Sequence, residues 1–199
     1  MEVEKINHSS FIQQSIQQSI DLKTSLLQNA YLIKKISDVS NRCIEMFQNG
    51  NRLLIAGNGG SAADAQHIAA EFVCRLNYER PGLPAMALAT NYSVITAAGN
   101  DYSFNDVFSR EVEANGREGD IFIGISTSGN STNILKAIEA SRQAGIYTVG
   151  LAGNGGSIQQ AADSCLNVPS DYTPRIQECH ILIGHILCEI VENSLFPRL

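Results

Sequence analysis

Positive charge is scarce in this chain and nowhere clustered. Its 199 residues carry 14 Lys and Arg against 20 Asp and Glu, for a formal net charge of −6 and a pI near 5.2. Nucleic-acid binding needs a basic stripe to neutralise phosphates, so DNA and RNA are poor candidates for direct partners. No apolar run approaches the ~20 residues that a membrane span requires. The opening Met1-Glu2-Val3-Glu4-Lys5 has neither a basic n-region nor an apolar h-region, which predicts no secretory leader. Cysteine is sparse as well. Cys43, Cys74, Cys165, Cys179 and Cys188 are odd in number, widely spaced and free of any C-x-x-C. That pattern argues against a disulfide scaffold or a thiolate zinc knuckle and predicts small buried hydrophobes in a reducing cytoplasm.

A hydrophobic content of 44% with 17% charged residues is the composition of one soluble domain large enough to bury a core. Two amphipathic helices lead. Phe11, Ile12, Ile16, Ile20, Leu26 and Leu27 repeat at near-helical spacing over 9–28, and Leu32, Ile33, Ile36, Val39, Ile44 and Phe47 do so over about 30–48. Asn49-Gly50-Asn51 closes the second. Short apolar runs then alternate with helical segments: Leu53–Ile55, Ala85–Leu88, Ile121–Ile125, Tyr147–Leu151 and a weaker Cys165–Val168. Continuous apolarity without alternation reads as parallel strands buried on both faces, hence a five-stranded α/β sandwich. A last helix, about 174–195, has Pro174 in its first turn and is apolar nearly all round, which predicts burial, by another subunit among the possibilities.

The strands end in similar chemistry: Gly57-Asn58-Gly59-Gly60-Ser61, Thr90-Asn91, Ser126-Thr127-Ser128-Gly129-Asn130-Ser131, Gly153-Asn154-Gly155-Gly156-Ser157 and Ser170–Thr173. Open parallel sheets bind ligands beyond their carboxyl ends, so this rim is the expected site. Ala-Gly-Asn-Gly-Gly-Ser occurs twice, at 56–61 and 152–157, and reads as one strand-to-helix turn used twice. The loop Ser126–Ser131 offers hydroxyls and free backbone N–H groups at a helix start, which suits a phosphate; simple helix capping explains the same residues. Neither a Walker A ending nor G-x-G-x-x-G is present, which disfavours nucleotide cofactors.

His67 and Glu71 lie four residues apart and share a helix face, where they can meet one small ligand or metal. Glu71 also has Arg75 at its own i+4, so a surface Glu–Arg pair with a bystander His fits the same spacing. In the last helix Gln177 and His185 sit about 80° apart around the axis but ~12 Å apart along it. Either that helix is irregular or the two residues serve different copies of a site. His180, about 140° from His185, reads as packing, and His8 as solvated. Of the carboxylates placed near the rim (Asp64, Glu71, Asp101, Asp171 and Glu178), Asp101 stands in a polar break, Gly99-Asn100-Asp101.

Gly119-Asp120-Ile121-Phe122-Ile123-Gly124-Ile125-Ser126-Thr127-Ser128-Gly129-Asn130-Ser131 resembles the signature of the sugar isomerase (SIS) domain. Ala56 to Glu71, with Gly99-Asn100-Asp101, Phe108-Ser109-Arg110 and Arg175–His180, is similar in more detail to the phosphoheptose isomerase family. The likeness runs through nearly the whole chain from about residue 10. It implies a single SIS domain over 51–199, a three-layer α-β-α sandwich with a flavodoxin-like five-stranded parallel sheet, preceded by helices in 1–50 used in oligomerisation. It further implies isomerisation of sedoheptulose 7-phosphate to D-glycero-D-manno-heptose 7-phosphate, the first step toward nucleotide-activated heptose.

Carried over by position, Glu71 and His185 match the family's acid/base pair. Asn58, Gly59, Gly60, Ser61, Glu71, Asn100, Asp101 and Gln177 match its substrate contacts, and Ser126, Thr127, Ser128 and Ser131 its phosphate loop. His67, Glu71, Gln177 and His185 match a zinc set, in homotetramers with active sites at subunit interfaces. Thr173-Pro174 departs from relatives that place an Asp there. Two other functions fit the resemblance less well. A noncatalytic SIS protein that binds the replication initiator shares the leading helices, the Gly-rich loop and an ending like Glu192–Pro197, but lacks counterparts of Glu71 and His185. An SIS isomerase of another sugar phosphate shares the loops.

Overall fold

Residues 7–198 are described by a computed structural model, so Met1–Lys5 and the expectation placed on them lie outside the described residues. Helices α1 (His8–Gln28) and α2 (Ala30–Gln48) lead, and each is capped by an Asn side chain, Asn7 and Asn29. There follow β1 (Leu53–Gly57), α3 (Gly60–Val73), β2 (Ala85–Ala87), α4 (Tyr92–Asp101), a 3-10 turn (Phe104–Asp106) and α5 (Val107–Asn115). The chain continues through β3 (Ile121–Ser126), α6 (Thr132–Gln143), β4 (Tyr147–Ala152), a one-turn α7 (Ile158–Ala161) and β5 (Ser164–Asn167), and ends in α8 (Thr173–Leu195).

The five strands form one parallel sheet in the order β2-β1-β3-β4-β5. This is the flavodoxin-like order that the family resemblance implies. Every residue of β1 and β3 is buried, because helices cover both faces. Side chains alternate between the faces. Leu53, Ile55, Ile121, Ile123, Ile125, Val149 and Leu151 point into a core with α2, α3 and α8. Leu54, Ala56, Phe122 and Ala152 point into a second core with α4 to α7. The outcome is the expected three-layer sandwich.

Helix α8 is buried as its sequence predicts, but largely by its own chain. Ile176, Cys179, Ile183, Leu187, Cys188 and Val191 join the core shared with α2 and α3. α1 is the opposite case. Only Leu26 of it is buried, and Phe11, Ile12, Ile16, Ile20 and Leu27 are each more than half exposed. Four of the five free cysteines are buried, and Cys74 is exposed. Burial pushes the Cys43 thiol up to about 12, in keeping with an inert packing group.

Candidate active site

The chain passes from β1 out to the edge strand β2 and returns to β3 on the other side of β1. The loops after β1 and β3 therefore lead to helices on opposite faces, α3 and α6, and open a crevice at the carboxyl ends of those strands. Asn58 and Asn133 span it: each side-chain amide donates to the other's carbonyl oxygen, both at 2.9 Å. Asn58 thus locks the Gly-rich loop to the first turn of α6. Its buried partner Asn133 carries no local signal that sequence reading could use.

The two helix N-termini beside this crevice carry no side-chain cap. Gly59 precedes α3 with φ +57° and offers no side-chain cap, and Ser131 precedes α6 with none either. Away from the crevice, α1, α2 and α4 are all capped by Asn side chains. Backbone N–H groups at the open ends, with the dipole behind them, suit an anion. In the serine loop, Ser126 Oγ and Ser131 Oγ lie 2.9 Å apart, and the Ser131 N–H donates to Ser126 Oγ at 3.4 Å. The loop is held from below, where Asn130 Oδ1 accepts from the N–H of Ser157 in the second Gly-rich turn. Gly129 has φ +68°, and a Cβ there would strike the carbonyl of Gly155.

Helices α3 and α8 bring the chemistry together. His67 Nε2 lies 3.1 Å from Glu71 Oε1. The His67 and His185 rings meet edge to face. Donor atoms of His67, Glu71 and His185 all fall within 4.8 Å of one another. Two imidazoles and a carboxylate form a donor set suited to a catalytic zinc with an open position. Arg75 pairs with Glu79 instead, at 3.9 Å, so the simple Glu71–Arg75 surface pair is not formed. One turn before His67, Asp64 has a buried Oδ2 with no partner; burial pushes its carboxyl up, against an opposing pull from His67.

Gln177 lies more than two turns before His185 on the same helix. α8 is unbroken from Thr173 to Leu195, so it is not irregular between Gln177 and His185. The Gln177 amide lies instead over Gly60, whose missing side chain makes the room. Ser61 is buried at the start of α3. Asn100 and Asp101 are exposed at the end of α4, on the opposite face of the sheet, where the Asn100 amide donates to Asp101 at 2.8 Å. Glu178 pairs with Arg175 and accepts from Ser19 of α1, so it ties helices together. Asp171 and His8 are exposed. His180 is fully buried. A groove of about 610 Å³, lined by Tyr31, Lys35, Arg42 and Tyr147 among others, lies at the amino ends of the strands and contains none of these groups. The cluster sits on an open face, with the His67 side chain 50% exposed.

Residues 18–153 match the model of the SIS domain family. The chain is 54% identical over 189 residues to a phosphoheptose isomerase of Aneurinibacillus thermoaerophilus, covering 94% of this chain and 96% of that one. It belongs to the phosphoheptose isomerase family. Phosphoheptose isomerase 2 of Campylobacter jejuni is 53% identical over 193 residues, 96% of each chain. Among solved structures, the phosphoheptose isomerases of Neisseria gonorrhoeae and Francisella tularensis superpose with TM-scores of 0.88 and 0.90 at 38% and 37% identity, each over 94% of this chain and all of the other. Among the described residues no helix is long and apolar enough to cross a membrane.

Proposed function

We propose that this isomerase interconverts sedoheptulose 7-phosphate and D-glycero-D-manno-heptose 7-phosphate through an enediol. The observation that carries the reading is the convergence of Glu71 and His185 from two distant helices onto one cluster. Ser126, Thr127, Ser128 and Ser131, with the open N-terminus of α6, hold the phosphate. The Gly57–Ser61 loop and Gln177 face the sugar. Glu71 removes the proton from the carbon next to the carbonyl and returns it to the neighbouring carbon, while His185 moves the proton between the two oxygens. The bond from His67 engages Glu71 Oε1 and leaves Oε2 for the base role.

His67, Glu71 and His185 are the residues that would hold zinc. We keep Gln177 as the fourth ligand that the family likeness implies, more than two turns from His185 on an unbroken α8. Held there, zinc would supply polarisation of the substrate oxygens. A ligating carboxylate is a weaker base, and of its two roles we favour acid/base work for Glu71. The open cluster and the exposed apolar row of α1 support a homotetramer with sites at subunit interfaces. Asn100 and Asp101 then serve a site completed by another copy. We place the enzyme in the cytoplasm, at the first step toward nucleotide-activated heptose. An assay with ketose phosphates of five to seven carbons, with and without a chelator, tests the reading. Sedoheptulose 7-phosphate should be converted in preference; no conversion in either condition overturns the proposal in favour of the initiator-binding function.

A further inference from the structure

Arg80 and Glu192 form an ion pair whose side chains are 2% and 0% exposed, with Nε–Oε1 at 3.1 Å. Such a pair is costly to bury unless its remaining hydrogen bonds are made. Here they are made. Glu192 accepts the backbone N–H groups of Leu76 and Asn77 at 3.1 and 2.9 Å. The Arg80 guanidinium donates at 2.7 Å to the carbonyl of Glu71 and, also at 2.7 Å, to that of Phe72. These carbonyls belong to the last turn of α3, where no intrahelical donor remains for them. Arg80 therefore caps α3 at the very residue whose side chain joins the reactive cluster.

The other half of the pair sits on α8. Glu192 follows His185 by two helical turns, so the two side chains share a face of that helix. One fork thus ties the backbone of Glu71 to the helix that carries His185. Between them, Ile68 packs into the gap left by Gly184, which lets the helices approach closely.

We infer that Arg80 and Glu192 are positioning residues for the isomerisation: together they set the register of α3 against α8 and hence the separation of Glu71 and His185. The inference rests on the acid/base reading above. A displacement of about 1 Å at reacting groups can cost ~100-fold in rate, and loss of groups that orient metal ligands weakens affinity ~10–100-fold.

The test compares Arg80→Lys, Arg80→Met and Glu192→Gln with Glu71→Gln, each assayed at a temperature where circular dichroism shows it folded. Zn2+ affinity is read separately by competition with a chromophoric chelator. In Arg80→Met we expect kcat to fall about 100-fold with KM within about threefold, and Zn2+ to bind about tenfold more weakly. Lys keeps the charge and one donor direction, so Arg80→Lys should recover part of both losses. Should Arg80→Met not fold, Arg80→Lys and Glu192→Gln carry the same expectation at a smaller size. Wild-type kcat and Zn2+ affinity in the folded variants, with Glu71→Gln inactive, would overturn the inference and leave a purely structural pair. Activity in Glu71→Gln would instead overturn the acid/base reading, and this inference with it.

Discussion

The imidazole rings of His67 and His185 stand edge to face, 5.0 Å between centroids and 78° between planes. One ring is carried by the helix that follows the first strand and the other by the last helix of the chain. Only the parallel packing of α3 on α8 brings them together. Glu71 completes the trio from one turn beyond His67.

That convergence predicts the behaviour of two conservative substitutions. Glu71→Gln keeps the shape of the side chain and His185→Gln keeps a donor and an acceptor, but both remove proton transfer. Turnover of sedoheptulose 7-phosphate should fall by ~100-fold or more in each, the range general acid–base groups supply. Near-wild-type turnover in either would refute the assignment.

Metal content gives a second check. With three donors from one chain, removal of His67 leaves two. His67→Ala should lose bound zinc by elemental analysis while keeping the melting temperature of the metal-free wild type, since the His67 side chain is half exposed. Stoichiometric zinc in His67→Ala would show that the trio is not the metal site.

A third prediction concerns Gly60. Its backbone does not occupy the left-handed region, so alanine is sterically possible there on backbone grounds. The new methyl group would meet the amide end of Gln177, which is flexible enough to swing aside. Gly60→Ala should therefore fold normally and raise KM for the sugar phosphate by about tenfold, as expected when one polar contact to the substrate is lost. An unchanged KM would remove Gln177 from the sugar site.

Local pattern carried most of the fold. The strand runs were legible because parallel strands covered on both faces must be continuously apolar, and α1, α2 and α8 lie within a residue of the periodicity that announces them. The rim loops were legible as well, since Gly and Ser at strand ends have few other uses. Pairings over long separations were not. Asn58 finds Asn133 across 75 positions and Arg80 finds Glu192 across 112, and neither member looks unlike an ordinary surface residue until the sheet order juxtaposes them. Gln177 shows the same limit. Its spacing from His185 raised the geometric problem, but only the gap at Gly60 reveals what its amide touches.

His180 predicts how the fold responds to acid. It is fully buried on α8, and neither ring nitrogen meets a partner in good hydrogen-bonding geometry, although the Ala152 carbonyl lies near enough to oppose part of the effect of burial. Burial lowers its pKa from 6.5 to about 4. The unfolded chain therefore binds a proton that the folded chain refuses. Stability from keeping His180 neutral is fully present above about pH 6.5 and is lost progressively as pH falls toward 4, by ~3 kcal/mol in all. His180→Leu removes the titrating group and keeps an apolar filling. Urea denaturation at pH 7.5 and 4.5 should show the wild type losing ~2.5 kcal/mol more than His180→Leu over that interval. Other groups titrate in both proteins and cancel in the difference. Equal losses would mean that the imidazole finds a proton acceptor inside the folded chain.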